Sequence, residues 1–215
     1  MSSLKSSARW RRRKAARPQE IQEAALVVFA EKGFAATRME DIAAQAGVTK
    51  GTIYLYFQSK EAVFKSLLQE SVGRTIDGVA ELASSYTGSA ADLLRAILSA
   101  IGTFMRTSDR VVLLKVLLAE SGNFPDLITF YRRELIDRGL ALLAGVVARG
   151  IARGEFRDMI PDHAARLCIA PILLSGIWRT VFGRLDKEPF DYAGFLETHI
   201  DTLLRGLAAE KGAGA

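Results

Sequence analysis

Residues 37 to 61 constrain this chain most: Thr-Arg-Met-Glu-Asp-Ile-Ala-Ala-Gln-Ala-Gly-Val-Thr-Lys-Gly-Thr-Ile-Tyr-Leu-Tyr-Phe-Gln-Ser-Lys-Glu. Thr37 with Glu40 three residues later is the pattern of a capping box, so a helix is expected to start there. Ile42, Ala43 and Ala46 give it one small apolar face, and Gly47 stops it as a C′ glycine would. Val48 is placed to plug the corner. Thr49 caps a second helix over Lys50 to Phe57, and Ser59 a third with Glu61 in its first turn.

The middle helix is unusual. Ile53 and Phe57 are four apart and point inward together, which leaves Lys50, Gly51, Thr52, Tyr54, Leu55 and Tyr56 to solvent or a partner. Hydroxyls and an ammonium group on so short a helix suit a DNA major groove, where they reach phosphates and base edges. Taken alone, the same spacing also fits an ordinary helical hairpin with half-buried aromatics.

The run Gly33-Phe34-Ala35-Ala36-Thr37, followed by Asp41 to Glu61, resembles the DNA-binding domain of TetR-type bacterial transcriptional regulators over roughly residues 18 to 66. The rest of the chain resembles that family only in size, helicity and layout. The resemblance implies DNA contacts from Arg38, Thr49, Lys50, Gly51, Thr52, Tyr54, Leu55, Tyr56 and Lys60. Tyr54, Tyr56 and Lys60, with the N–H groups after Thr49, are expected to hold phosphates. Arg38, Thr52 and Leu55 are the candidates for reading bases. Tyr56 stands where the family often has histidine.

Charge is distributed to match. Residues 1 to 60 hold eleven Lys/Arg against five Asp/Glu, and the remainder eighteen against nineteen. The positive field lies at the end that carries the two-helix motif, as expected of a nucleic-acid-binding protein. Residues 1–17 include seven cations and no acid, a composition expected to form a disordered basic arm. Such an arm follows phosphates, or is a solubilising tail. A non-catalytic module that uses it on membrane surfaces or acidic partners is the competing reading of the whole chain.

Helical spacing continues elsewhere. Pro18 is expected at the start of a first helix carrying Ile21, Ala24, Ala25, Val28 and Phe29 to Gly33. Beyond Lys60, five further helices fit: to about Ser84, after Ser89, from Ser108 or Asp109, from Pro125 to about Ala152, and from Asp162 to Phe182. A last one carries Leu196, Ile200, Leu203, Leu204 and Leu207. No alternation of β-branched residues persists long enough for a strand. The expected fold is all-α with about nine helices. A DNA-binding head at 18–66 is followed by an effector-binding and dimerisation body at 67–210.

The helix from Asp162 to Phe182 is apolar nearly all round between Leu167 and Trp178, and the last helix carries Phe195 and His199 on a second face. A homodimer interface is therefore expected, with Leu167, Leu174, Phe195, His199 and Leu203 as candidates. Phe104, Met105, Tyr131, Trp178 and Phe182 are the candidates for lining an effector pocket. Few charges fall among the apolar faces, which favours a largely apolar or aromatic small molecule.

No glycine-rich phosphate loop, nucleophile elbow or paired carboxylate motif is present, and His163 and His199 sit in no catalytic or metal pattern. Neither an enzyme nor a cofactor or metal site is expected. Cys168, the single cysteine, lies in an apolar run and excludes a disulfide framework. The N-terminus lacks a signal-peptide core, and the apolar run Leu167 to Trp178 is shorter than the ~20 residues a bilayer requires. The expected location is cytoplasmic, and the expected partners are an operator DNA, a small-molecule effector and a second copy of the chain.

Overall fold

The computed structural model describes the backbone of residues 3–210, and the side chains of residues 18–210 other than Arg184. Nine helices follow one another among the described residues, with no strand beyond an isolated bridge between Phe156 and Ala208. They are α1 (Ser3–Ala36), α2 (Met39–Gln45), α3 (Lys50–Tyr54), α4 (60–85), α5 (Ala90–Thr107), α6 (Val112–Ala119), α7 (125–152), α8 (Pro161–Val181) and α9 (Tyr192–Leu207). Two are interrupted by π-helical turns, α4 at Gln69–Gly73 and α7 at Arg132–Asp137.

The helix ends follow local chemistry closely. Gly47 adopts φ 62°. Gly47 N–H donates to the Ala44 carbonyl and Val48 N–H to that of Ala43, the paired bonds of a Schellman stop. The Thr49, Ser59 and Ser89 hydroxyls accept from the backbone N–H groups of Thr52, Ala62 and Asp92.

Three expectations shift. The Thr37 hydroxyl donates to the Gly33 carbonyl at 2.6 Å instead of capping α2. That cap moves one residue on, where the Asp41 carboxylate accepts from Arg38 N–H at 2.9 Å. Gly33 breaks α1 as expected, at φ 76° and ψ 171°, but one more turn follows it to Ala36. At the other end α1 runs back past Pro18 to Ser3. The segment expected as a disordered arm is thus the helix's first four turns, in keeping with its Ala, Arg and Lys content and its lack of Gly or Pro. Its cationic side chains lie outside the described residues.

Two apolar cores result. One gathers Phe29, Phe34 and Phe64 with Ile21, Ile42 and Ile53. Ring centroids of the three phenylalanines lie 5.2–5.4 Å apart. This core does not stop at residue 66, because Leu67, Leu68, Leu113, Leu117 and Leu127 belong to it. The other is aliphatic and lies between α5, α7, α8 and α9, around Leu94, Leu98, Val147, Ala165, Ile172 and Ile200. By length and composition α8 would span a bilayer. Here its Ala164, Ala165, Cys168, Ile172 and Gly176 are buried in the second core, and its Arg179 donates to the carbonyls of Met105 and Ser108.

Candidate nucleic-acid interface and effector cavity

The short α3 is held from below. Ile53 is fully buried and Phe57 nearly so, which turns the other side of the helix outward. Tyr54 is 43% and Leu55 81% exposed, an extent of apolar exposure that isolates Leu55 from any core role. Arg38, Thr49, Lys50 and Gly51 are also exposed, while Thr52 and Tyr56 are half-buried, Tyr56 against the head core. All nine residues expected at DNA are thus exposed or half-buried.

Their electrostatics are less open than the sequence implied. The Lys50 ammonium lies 2.5 Å from the Glu40 carboxylate on α2. That hydrogen bond lowers the Glu40 pKa and raises that of Lys50. Both groups are exposed, so the pair is weak and salt-screened, and a phosphate can compete for Lys50. Asp41 takes Lys32 at 2.8 Å as well as Arg38 N–H, and these bonds, Lys32 first, hold its carboxyl below the usual range. The Thr49 and Thr52 hydroxyls bond each other at 2.8 Å.

Lys60 departs from the expectation. Its ammonium donates to the carbonyls of Phe34, Ala35 and Thr37 at 2.8, 2.9 and 3.1 Å, and lies 4.8 Å from the centroid of the Phe34 ring. All three donors of the ammonium are satisfied. Lys60 closes the end of α1 beyond the Gly33 kink and has no proton left for a phosphate. The same end is gripped from the body: the buried Glu120 carboxylate accepts from Ala35 N–H at 3.0 Å and from the Asn123 side chain at 3.0 Å, and Phe124 packs edge-on against Phe34 at 4.7 Å. No short-range pattern in the sequence announces this clasp, since Glu120 is 85 residues from Ala35.

In the body, a cavity of about 290 Å³ opens between α4, α5, α7 and α8. Val72, Thr75 and Ile76 line it from α4, and Ile101, Phe104 and Met105 from α5. Tyr131, Leu135 and Ile136 close it from α7, and Arg166, Ile169 and Leu173 from α8. Both π-helical turns border it, with a Leu135 methyl 3.7 Å from where a Cβ on Gly73 would sit. Such turns re-aim side chains within a helix and recur at binding sites. Phe104, Met105 and Tyr131 are where the sequence put them.

Trp178 and Phe182 are not in the cavity. On α8 the lining stripe is 166, 169, 170 and 173, whereas 167, 174 and 178 fall on a separate face, about a third of a turn round. Trp178 and Phe182 are each 44% exposed and pack on each other at 5.0 Å, beside Leu167 and Leu174 at 65% and 60%. Phe195, His199 and Leu203 are only half-exposed. His199 Nε2 lies 2.9 Å from the Cys168 carbonyl, which ties α9 to α8.

A family model for bacterial regulatory proteins of the tetR family matches residues 21–67, and one for the tetracyclin repressor-like C-terminal domain matches residues 85–187. The HTH-type transcriptional regulator RutR of Escherichia coli is 30% identical over 163 residues, 75% of this chain and 74% of RutR. The chain belongs to the TetR family of bacterial transcriptional regulators. A second relative, the fatty acid metabolism regulator protein of Bacillus subtilis, is 26% identical over 193 residues, covering 89% of this chain and 96% of that one. The Bacillus subtilis transcriptional regulator FadR, solved in complex with stearoyl-CoA, superposes with a TM-score of 0.72 at 25% identity, covering 88% of this chain and 98% of its own. This TetR-family chain is therefore a DNA-binding regulator with a helix-turn-helix head, and Thr49 to Phe57 form its second helix and the turn beyond.

Proposed function

We propose that this chain is a ligand-responsive repressor that binds a palindromic operator as a homodimer and is released by a small, largely apolar effector. One observation carries this reading. A single helix, α4, begins in the head core with Val63, Phe64, Leu67 and Leu68, and continues as a wall of the cavity with Val72, Thr75 and Ile76. What fills the cavity therefore bears on the element that seats α3. An effector acts by binding more tightly to the conformation with lower operator affinity, and by no other means.

The dimer supplies the second reading helix. One α3 offers few base contacts, each contributing ~1–3 kcal/mol of discrimination. Two on a two-fold axis read half-sites ~34–36 Å apart. The exposed apolar strip of Leu167, Leu174, Trp178 and Phe182 supports α8 as the face that meets the partner. Tyr54 and Tyr56 are assigned to phosphates, Arg38, Thr52 and Leu55 to bases, and Lys60 to the head's own structure. The protein acts in the cytoplasm and needs no cofactor.

Electrophoretic mobility shift with the DNA upstream of the chain's own gene, at 50 and 200 mM salt, tests the reading. Sequence-specific retardation that weakens with salt is expected. Binding only to anionic vesicles, with no specific retardation, would support a membrane-surface module instead. Analytical ultracentrifugation of the free protein should give a dimer, and a monomer for Leu174→Glu.

A further inference from the structure

The polar groups around the cavity are few and all of one kind. Among the described residues no carboxylate lines it and Arg166 is its one cation. Arg166 sits near the start of α8, and its Nη1 donates to the Asp162 carbonyl at 2.9 Å. Among the described residues no acid pairs with this guanidinium, which has five N–H donors. Arg166 is also solvent-exposed, so it marks the cavity's mouth. The Tyr131 phenol, largely buried, is a second donor, and burial pushes its pKa up and keeps it protonated. The Thr75 hydroxyl is already committed to the Ser71 carbonyl. Everything else presented to an occupant is hydrocarbon, aromatic ring or thioether.

We infer that the effector is an anionic amphiphile, with a hydrocarbon tail inside the cavity and a negatively charged or thioester-linked anionic head held at the mouth by Arg166. This rests on the cavity being the effector site. A cation is disfavoured because no carboxylate among the described lining residues pairs with it and the Arg166 guanidinium at the mouth repels it. A polyhydroxylated ligand is disfavoured because most of its hydroxyls would find no partner. Size sets the tail: a dry cavity of about 150 Å³ holds benzene, so 290 Å³ takes on the order of a dozen carbons. Two sources share this chemistry, a free fatty carboxylate and its coenzyme A thioester. In the thioester, Arg166 would meet the phosphates.

Calorimetric titration of the full-length protein with dodecanoate, dodecanoyl-CoA, dodecan-1-ol and dodecyltrimethylammonium, all below their critical micelle concentrations, tests this. Dodecanoate or dodecanoyl-CoA is expected to bind about three- to tenfold more tightly than dodecan-1-ol, a modest margin because the cation is exposed. The stronger of the two identifies the source. Dodecyltrimethylammonium is expected to bind weakest. Arg166→Gln should erase the anion's advantage without changing dodecan-1-ol affinity, and Arg166→Lys should keep part of it. Arg166 is exposed, so these variants should fold, and their melting temperatures check it. Stearoyl-CoA should bind more weakly than dodecanoyl-CoA. Equal binding of the cationic and anionic probes, or an Arg166→Gln variant that retains the anion's advantage, overturns the inference and leaves the regulator reading intact. If no probe binds, dodecan-1-ol included, the assignment of the cavity as effector site fails with it.

Discussion

The head and the body bury apolar surface in different ways. The head packs three phenylalanine rings against one another, each fully enclosed. The body is built mainly from Leu, Val, Ile and Ala, and keeps about 290 Å³ unfilled between four helices. A void removes dispersion contacts from its walls, so the body is the less completely packed of the two. A reading head must present its side chains in one geometry, whereas a sensing body must have something to gain when a guest arrives.

The contrast should be visible in stability. Phe64→Ala, in the middle of the ring cluster, should cost ~3–5 kcal/mol in urea unfolding. Ile101→Ala, on a wall already facing a void, should cost roughly half that or less, because the transfer loss is not compounded by a new hole. Equal costs would mean that the body is as tightly packed as the head. Lys60→Met should cost ~2 kcal/mol by leaving three carbonyls uncapped. It should also weaken operator binding without changing the number of ions released, whereas loss of a phosphate contact would lower the salt slope by about one.

Thr49→Ala should cost ~1 kcal/mol, as losing an N-cap does. Ile101→Phe should change stability by less than ~1 kcal/mol yet reduce effector response, since its ring occupies space that the guest needs. The smallest effect concerns Cys168, whose thiol burial pushes up to about 11. The folded state then holds this proton longer than the unfolded state, so the thiol's contribution to stability falls as pH rises from about 9 to about 11. Cys168→Ala should flatten that part of the profile, and native Cys168 should resist thiol reagents at pH 8.

The same contrast explains what could be read from the sequence. Gly47, Thr49 and Ser59 act within three or four residues of themselves, so their pattern fixes α2, the turn, α3 and the start of α4 before any tertiary contact is considered. Ile53 and Phe57 then decide which side of α3 faces out. The acceptors of Lys60 lie 23 to 26 residues back along the chain, gathered by the kink at Gly33, and no local pattern announces them. Thr37 does not cap α2 because its hydroxyl bonds the Gly33 carbonyl, four residues back, at the kink. In the body, aromatic character was a poor guide to the cavity. Trp178 and Phe182 look like ligand-stacking rings, but the helical phase of α8 turns them outward, while Arg166, Ile169 and Leu173 turn in. That phase is set by packing against α5 and α7, which no residue of α8 declares on its own.

That α4 reaches from the head to the cavity, through its π-helical turn, has a mechanical consequence. From Ile76 at the cavity to Lys60 under the head, a rise of 1.5 Å per residue gives a lever of ~24 Å. A tilt of about 8° about its far end sweeps the near end through about 3.4 Å, the rise along the duplex axis between successive phosphates of one DNA strand. A guest that tilts α4 by that much therefore puts a reading helix out of step with its half-site by about one base-pair rise.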